Sequence, residues 1–350
     1  MLRGAIIGLG NVALHGHVPG WLDRPDVEIV AVTDARSAQR EIGLERLPGA
    51  RWYGSAEDLL AEAAVDFADI CTPPSSHAAL VRAALERGCH VLCEKPLVRT
   101  LDELPSLAAL AASSGRVLHT VHNWHHAPIV RLATDLIRAG EIGEPGRIVW
   151  QTLRTRPAAA GDEATGNWRL DPAVAGGGVL SDHGWHVAYV IRSWMDAWPL
   201  AVSARLETRR HVGWGVEDTA ALSIVFPEGA ADVLLTWAAD ERRNRAIIEG
   251  RSGRIELDDD VLTLARNGSQ RCWNCAPLSG GSHHPEWFGA VADRFVSAIA
   301  GAAPADDNLA EATLCATIES VARQSSVRGG ELLALPAGSA ARQPARPGCP

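Results

Sequence analysis

The sequence lacks the features that mark membrane and nucleic-acid-binding proteins. It has no uncharged apolar run near the ~18 residues that a membrane-spanning helix needs. It also has no block of basic residues: 33 Lys and Arg stand against 42 Asp and Glu, which gives a formal net charge of −9. Because a mildly acidic chain has little attraction for DNA, RNA or anionic lipid, we expect no nucleic-acid partner and no membrane association.

Cysteine is sparse as well. The seven cysteines are odd in number and irregularly spaced, so they predict reduced thiols rather than a disulfide framework. The chain opens on an apolar run that is too short for a signal peptide and is typical of a strand. The His-rich stretch 119–126 has no Cys or carboxylate at ligand spacing, so we predict no metal site. These features favour a cytoplasmic protein.

The pattern of apolar residues divides the chain into two main parts. Residues 1–122 alternate short β-branched runs with amphipathic helical patterns, which predicts a Rossmann domain with a parallel sheet. Residues 123–335 carry longer strands that alternate apolar and polar positions, together with helices. They predict an α/β domain with a large, mostly antiparallel sheet. The Pro-, Ala- and Gly-rich residues 336–350 predict a disordered tail. The expected fold class is therefore α/β with two domains.

The segment AIIGLGNVALHGH carries a dinucleotide-binding pattern directly after a predicted strand. Gly8 permits a tight turn, Gly10 lets a pyrophosphate approach the backbone, and Ala13 allows close helix packing. Asn11 and Val12 open the helix whose N-terminus attracts the phosphates, so we place them in the same site. A glycine pattern alone is weak evidence, since a purely structural turn can produce it.

The next predicted strand ends in an acidic residue that bears on the choice of cofactor. Asp34 lies 24 residues after Gly10, close to the spacing at which an acidic residue binds the adenosine ribose. A carboxylate there favours NAD, because it repels a 2′-phosphate. Arg36 would instead favour NADP, so we expect NAD and leave NADP open. Asp34 can also cap the helix that follows it.

Two further stretches, ICTPPSSH and GCHVLCEKPL, follow predicted strands. With them the chain resembles the Gfo/Idh/MocA family, the glucose–fructose oxidoreductase and inositol dehydrogenase group. The matching residues are Thr72, Pro73, Pro74, His77, Gly88, His90, Val91, Glu94, Lys95 and Pro96. Cys89 departs from the pattern, since a Lys is common at its place.

The resemblance implies a cofactor site and one reactive amine. It places at the cofactor Thr72, Pro73, Pro74, His77 and Glu94, the last at the nicotinamide ribose. It lets Lys95 reach the reacting hydroxyl, after which a cis Lys-Pro bond is common in the family. The residues agree with this reading, because ligands bind at the carboxyl ends of the strands in an open parallel sheet. The alternative is a solvated Glu–Lys turn.

The stretch GGGVLSDHGWH supplies two more candidate catalytic residues. Asp182 and His186 are four residues apart, so on a helix they share one face, where an Asp can orient an imidazole for proton transfer. The family shows GGGxxxDxGxH here, which implies a catalytic set of Lys95, Asp182 and His186. Tyr189 departs from it, since many members have an Asp at that place. The alternatives are a helix-stabilising Asp and an interior His.

The resemblance also implies residues around the cleft. It places Asn123, Trp168 and Arg169 near the cofactor, and we assign Trp124 and His125, with Asp182 and His186, to the substrate. His125 stands where an Arg is common, which argues against a phosphorylated substrate. Tryptophan faces stack well on sugar C–H faces, and the chain has 12 Trp against 4 Phe and 2 Tyr.

The resemblance implies an NAD(P)-dependent dehydrogenase that oxidises a secondary hydroxyl of a sugar, cyclitol or related polyol. In the expected reaction His186 accepts the hydroxyl proton, Asp182 orients His186 and Lys95 stabilises the alkoxide. Two alternatives stay open: a catalytically silent cofactor-binding sensor, and a redox-neutral NAD-dependent enzyme of elimination or glycoside cleavage. The family also implies a homodimer or homotetramer.

Overall fold

A six-stranded parallel sheet occupies the first third of the chain. The computed structural model describes residues 1–159, 166–281, 283–302 and 307–336. The sheet has the order β3-β2-β1-β4-β5-β6, and all its strand pairs are parallel. The strands are β1 (Leu2–Ile7), β2 (Val27–Thr33), β3 (Arg51–Trp52), β4 (Phe67–Ile70), β5 (His90–Cys93) and β6 (Leu118–Thr120). The chain changes direction across the sheet between β1 and β4, which is the point where such sheets bind ligands.

Helices connect these strands. They are α1 (Val18–Leu22), α2 (Gln39–Arg46), α3 (Ala56–Glu62), α4 (His77–Glu86) and α5 (Leu104–Ser114). Every residue of β4 is buried, as expected for a parallel strand covered on both faces. Its one charged side chain, Asp69, is paired with His17. The predicted Rossmann architecture is confirmed.

A nine-stranded sheet follows, in the order β14-β13-β12-β11-β7-β10-β9-β8-β15. Only β7 and β10 pair in parallel, and the other neighbours are antiparallel. The strands are β7 (Pro145–Leu153), β8 (Ala201–Glu207), β9 (Thr219–Phe226), β10 (Gly229–Thr236), β11 (Arg243–Gly250), β12 (Arg254–Asp258), β13 (Val261–Arg266), β14 (Ser269–Asn274) and β15 (Leu333–Ala334). The expected large, mostly antiparallel second sheet is therefore confirmed.

Helices cover one face of this second sheet and pack between it and the first sheet. They are α6 (Pro128–Arg138), α7 (Pro172–Ala175), α8 (Trp185–Met195), α9 (Pro285–Ile299) and α10 (Asn308–Val327). Trp194 of α8 packs against Trp150 of β7 with ring centroids 5.6 Å apart. The alternating buried and half-buried positions of β9 follow from one helix-covered face and one uncovered face.

The last two long helices tie the two sheets together. Phe295 of α9 meets Phe67 of β4 edge to face at 5.6 Å. The side chain of Asn308, at the start of α10, accepts from the Thr120 N–H and donates to the Thr120 carbonyl, at 2.7 and 2.9 Å. The Asn308 side chain thus makes with the edge strand β6 the pair of hydrogen bonds that a neighbouring strand would make. These bonds attach α10, and with it the second domain, to the edge of the first sheet.

Some elements differ from the sequence-based expectation. The short strands β3, β14 and β15 carry little apolar periodicity, and the sequence did not predict them. The expected disordered tail at 336–350 lies outside the described residues, apart from Pro336. In the described part of the chain, we find no helix with the length and apolar character needed to cross a membrane.

Candidate active site

The glycine loop after β1 leaves room for a dinucleotide. Gly8 has φ +94°, and a Cβ there would lie 2.9 Å from backbone atoms of Cys71 and Thr72, so only glycine fits the turn. A Cβ on Gly10 would meet no atom within 4 Å, which leaves open space in front of the loop. The chain then forms a helix through residues 11 to 22, interrupted by the π-helical segment Ala13–His17.

Asp34 lies beside this loop at the end of β2. Its Oδ2 accepts the Leu9 N–H at 2.8 Å, and its Oδ1 accepts the backbone N–H and the Nε–H of Arg36 at 2.8 and 3.1 Å. Asp34 is thus held next to the glycine loop, on the side where the dinucleotide-binding pattern places the ribose. Arg36 partly neutralises the carboxylate that would repel a 2′-phosphate, so the geometry is compatible with both NAD and NADP.

His77 connects two loops of the site. Its Nδ1 lies 2.7 Å from the carbonyl oxygen of Pro96 and its Nε2 lies 2.7 Å from that of Thr72. The side chain is fully buried, and burial lowers its pKa. The expected contact of His77 with the cofactor is therefore corrected: both ring nitrogens already face backbone carbonyls. The residue holds the Thr72–Pro74 turn against the segment that carries Glu94 and Lys95.

A buried histidine that sequence reasoning missed holds Glu94. The Nδ1 of His17 lies 2.9 Å from Asp69 and its Nε2 lies 3.0 Å from Glu94. Burial alone would lower the pKa of His17, but the Asp69 carboxylate and Cys71 raise it well above its usual value. His17 therefore carries a proton on both nitrogens and donates to both carboxylates. The ligand atoms of His17, Asp69 and Cys71 lie within 4.8 Å of one another, close enough to hold a metal ion. In this structure they are hydrogen-bonded to each other instead.

Lys95 is the only lysine in the chain, and it lies between the two domains. Its Nζ donates to the carbonyl oxygen of Asp182 at 2.7 Å and reaches the Asp182 carboxylate at 3.3 Å. Arg169 approaches the same carboxylate at 3.5 Å and stacks on Trp168 at 4.3 Å. Burial would raise the pKa of Asp182, but Lys95, His183 and Arg169 lower it strongly. The Lys95–Pro96 bond is cis.

His186 is oriented by Tyr189 rather than by Asp182. Its Nδ1 lies 2.8 Å from the Tyr189 hydroxyl, which accepts the Trp124 N–H at 3.0 Å. The expectation that Asp182 orients this ring is therefore corrected, because that carboxylate faces Lys95, Arg169 and His183. The Trp124 ring stacks on His186 at 4.6 Å with an interplanar angle of 7°.

The glycine run and a π-helical turn place these groups. A Cβ on Gly178 would overlap the backbone carbonyl of Glu217, and one on Gly177 would overlap the side chains of Arg323 and Ser181. Only glycine allows this approach, so the run brings the π-helical segment Leu180–Gly184 close to the second sheet. Asp182 lies within the π turn and His186 lies at the start of α8, and both side chains line one cleft, as their spacing predicted.

One cleft collects most of the predicted residues. It spans about 1050 Å³, part of which is open solvent, and is lined by Val12, Thr72, Pro74, Glu94, Lys95, Asn123, Trp124, Trp168, Arg169, Asp182 and His186, among others. The buried Oδ1 of Asn123 has no partner there, as a ligand-facing amide would. His125 does not line the cleft. Its ring turns to Glu311 at 3.3 Å, so its expected substrate contact is corrected.

Several lining residues were not predicted. Arg154, His183, Trp237, Arg242 and His284 all border the cleft. Burial lowers the pKa of His183 to about 3, against the opposing effect of Asp182, so this ring is neutral near pH 7. For His183, the only signal in the sequence was its position next to Asp182. The other four residues come from strands and loops far apart in the chain, so no local pattern groups them.

The comparisons with known proteins agree with this site. Residues 2–122 match the family model described as "Oxidoreductase family, NAD-binding Rossmann fold". Residues 130–256 match the "GFO/IDH/MocA C-terminal domain". The chain belongs to the Gfo/Idh/MocA oxidoreductase family. Its first domain is an NAD-binding Rossmann domain.

Two curated relatives and one solved structure illustrate the family. A dTDP-3,4-didehydro-2,6-dideoxy-alpha-D-glucose 3-reductase from Streptomyces antibioticus is 33% identical over 273 residues, 73% of this chain and 75% of the relative. A D-glucoside 3-dehydrogenase from Escherichia coli K12 is 32% identical over 53% of this chain, and the match spans 52% of that enzyme. An aldose–aldose oxidoreductase from Caulobacter crescentus, complexed with glycerol, is 23% identical with a TM-score of 0.81, covering 95% of this chain and 99% of that chain. The last comparison shows the shared fold.

Proposed function

We propose that this oxidoreductase transfers a hydride between a secondary hydroxyl of a sugar, cyclitol or related polyol and a nicotinamide cofactor. The observation that carries the proposal is the single cleft in which Lys95, Asp182 and His186 meet beside the Rossmann loop residues. The sequence relatives that act on sugar hydroxyls or the corresponding ketones support the substrate class.

The residues present fit a dinucleotide. Gly8 and Gly10 leave an open cradle, Asp34 stands at the ribose end, and Glu94 and Asn123 line the other end of the path. When bound, NAD supplies the hydride acceptor. His17 and Lys95 both lower the pKa of Glu94 against the effect of burial, so Glu94 is an ionised acceptor suited to ribose hydroxyls. We propose NAD as the cofactor, with NADP accepted when Arg36 turns away from Asp34.

We infer the proton-handling roles from the hydrogen bonds. The Tyr189 hydroxyl accepts the backbone N–H of Trp124, and Nδ1 of His186 is the one acceptor for its own proton among the described residues. We therefore assign the hydrogen of the His186 ring to Nε2. Nε2 of His186 has no partner among the described residues and is left to donate to a substrate oxygen. Lys95 in its neutral amine form then accepts the hydroxyl proton as the hydride leaves the same carbon, and Asp182 holds the resulting ammonium. These roles differ from the expected ones, in which His186 was the base.

Two further properties of the protein are proposals. The uncovered face of the nine-stranded sheet presents half-buried side chains such as Val149, Ser223 and Leu234, a surface suited to pairing two copies into a homodimer or homotetramer. The acidic balance and the reduced cysteines favour a cytoplasmic protein without a nucleic-acid partner.

The proposed reaction is tested by following nicotinamide absorbance with purified protein, NAD⁺ or NADP⁺ and a panel of polyols. We expect reduced cofactor with at least one polyol. Asp182→Asn should lower kcat by about 10²-fold or more, because it loses the charge that holds Lys95. Asp135→Asn, exposed on α6, is the matched control. An absence of cofactor reduction with every polyol, together with no oxidation of NADH by the corresponding ketoses, would reject the function.

A further inference from the structure

Two arginines stand side by side at the edge of the cleft. Arg154 directly follows β7 and Arg242 directly precedes β11. These strands are antiparallel with Arg243 opposite Leu153, so Arg154 and Arg242 occupy the next opposed positions outward. Both border the cleft that contains Lys95 and Asp182. Like charges directly opposite each other across a strand pair are destabilising, which calls for a compensating group.

The protein does not supply that group. Arg154 is 2% exposed and donates to the carbonyls of Leu153 and Arg243 at 2.7 and 3.1 Å and to the side-chain oxygen of Asn244 at 3.4 Å. Its Nε has no partner. Arg242 donates to the carbonyls of Ser279 and Gly281 at 2.7 and 2.6 Å. Within the described ranges, neither arginine has a carboxylate oxygen within 4.0 Å. Neutral carbonyls fix both guanidinium groups without cancelling their charge.

The two carboxylates that line the cleft, Glu94 and Asp182, are each held by other cations. Lys95 and Arg169 share Asp182, and Glu94 receives the proton-bearing His17. Asp259 is the remaining nearby carboxylate, and its charge acts on both arginines from beyond ion-pair distance. Its oxygens accept from the Asn244 N–H, the Ser279 N–H and the Ser279 hydroxyl.

Both arginines nevertheless stay charged. Burial, followed by the charge of Arg242, lowers the pKa of Arg154 to about 10, which leaves it protonated at neutral pH. A buried cation without an anionic partner is costly, and such a group is found where a ligand completes the pair.

We propose that Arg154 and Arg242 bind an anionic group, a carboxylate or a phosphate, carried by the sugar substrate. The assignment rests on the proposed function for the reacting end of that substrate. Two neighbouring guanidinium groups offer paired N–H donors that suit either anion. The pair replaces the positive charge that is missing at His125, so the sequence-based argument against a phosphorylated substrate does not hold at this edge of the cleft.

The experiment measures binding rather than turnover. Protein saturated with NADH, which cannot accept a hydride, is titrated calorimetrically at constant ionic strength with matched ligands: D-glucose, D-glucuronate and D-glucose 6-phosphate; D-galactose and D-galacturonate; myo-inositol and myo-inositol 1-phosphate; and inorganic phosphate. We expect at least one anionic ligand to bind roughly tenfold or more tightly than its neutral partner. The carboxylate and phosphate arms show which anion the site takes.

Three variants locate the effect. Arg242→Gln, whose side chain is exposed, and Arg154→Gln should each reduce the anionic preference by roughly tenfold to a hundredfold. Arg251→Gln, an exposed arginine paired with Glu144, should leave the preference intact. If Arg154→Gln does not fold, Arg242→Gln decides alone. The proposal is overturned if neutral ligands bind as tightly as every anionic partner, if no anion binds, or if the preference survives in the folded variants.

The two proposals fail separately. NADH formation from neutral polyols with no anionic preference would leave the function standing and reject the anion site. Tight, arginine-dependent binding of an anionic sugar without hydride transfer in either direction would support the anion site and reject the function.

Discussion

Tyr189→Phe tests whether Tyr189 sets the state of His186. The substitution removes one hydroxyl and keeps the buried ring, so it creates no cavity of note. Two hydrogen bonds are lost, the one from the Trp124 N–H at 3.0 Å and the one to His186 Nδ1 at 2.8 Å. Both partners are buried, and each orphaned group costs about 1–3 kcal/mol. We therefore expect the free energy of unfolding to fall by about 2–6 kcal/mol.

The chain provides a matched control. Tyr53, the only other tyrosine, makes no hydroxyl hydrogen bond within the described residues, so Tyr53→Phe should change stability by less than about 0.5 kcal/mol. Urea unfolding of both variants, followed by fluorescence and circular dichroism, measures the difference. Equal stability of the two variants would refute the hydrogen-bond assignment.

A second readout separates orientation from stability. ¹⁵N NMR of histidine-labelled protein, assigned with His186→Asn, should show the hydrogen of His186 on Nε2 in the wild type. In Tyr189→Phe the Nδ1–H tautomer should appear, and the pH profile of kcat should shift. An Nδ1–H tautomer in the wild type would contradict the proposed roles of His186 and Lys95.

Two further predictions concern the cofactor and pH. Arg36→Ala should lower kcat/KM for NADP⁺ relative to NAD⁺ by about tenfold or more, because it removes the cation available to a 2′-phosphate; an unchanged ratio in steady-state assays would exclude Arg36 from cofactor choice. Burial holds the pKa of His183 at about 3 and that of His186 well below its usual value, so the unfolded chain takes up more protons below its own histidine pKa of about 6.5. Stability should therefore fall as pH decreases from about 6.5 to 5, by up to about 1.4 kcal/mol per pH unit for each ring. His17 opposes this slope only near pH 6.5, because its raised pKa keeps it protonated in the folded state while the unfolded chain is almost fully protonated by about pH 5. Denaturation of His183→Asn should show a shallower slope, and a flat wild-type profile would contradict the buried neutral rings.

Much of the fold was predictable because its signals are local. The glycine loop, the TPP turn and the EKP segment each follow a strand, and parallel strands bring their carboxyl ends to one edge. The short strands β3 and β14 were not predictable, because their pairing is set by neighbours rather than by their own residues. β4, in contrast, is buried throughout and was predictable from Phe67, Ala68 and Ile70, although Asp69 interrupts its apolar residues.

The site was predictable only where residues share a motif. Lys95 and Asp182 are recognisable in the sequence from their motifs. Lys95 is also the only lysine in the chain, which was a further signal. The pairing of Arg154 with Arg242 depends on the register of β7 and β11, which no local pattern encodes. Tyr189 was noted as a departure from the family. Its bond to His186 joins two residues three apart on α8, so this spacing was a local signal that the sequence reasoning did not use.

The proposed chemistry depends most directly on Lys95, and a single-turnover measurement tests it. Stopped-flow absorbance follows hydride transfer from the polyol identified in the panel to enzyme-bound NAD⁺ in wild type and in Lys95→Met, and a separate titration measures NADH affinity. We predict that Lys95→Met binds NADH within about threefold of the wild type, a difference below 1 kcal/mol, while hydride transfer slows by about 10²–10⁴-fold. Hydride transfer at the wild-type rate in Lys95→Met would contradict the assignment of proton exchange to this amine.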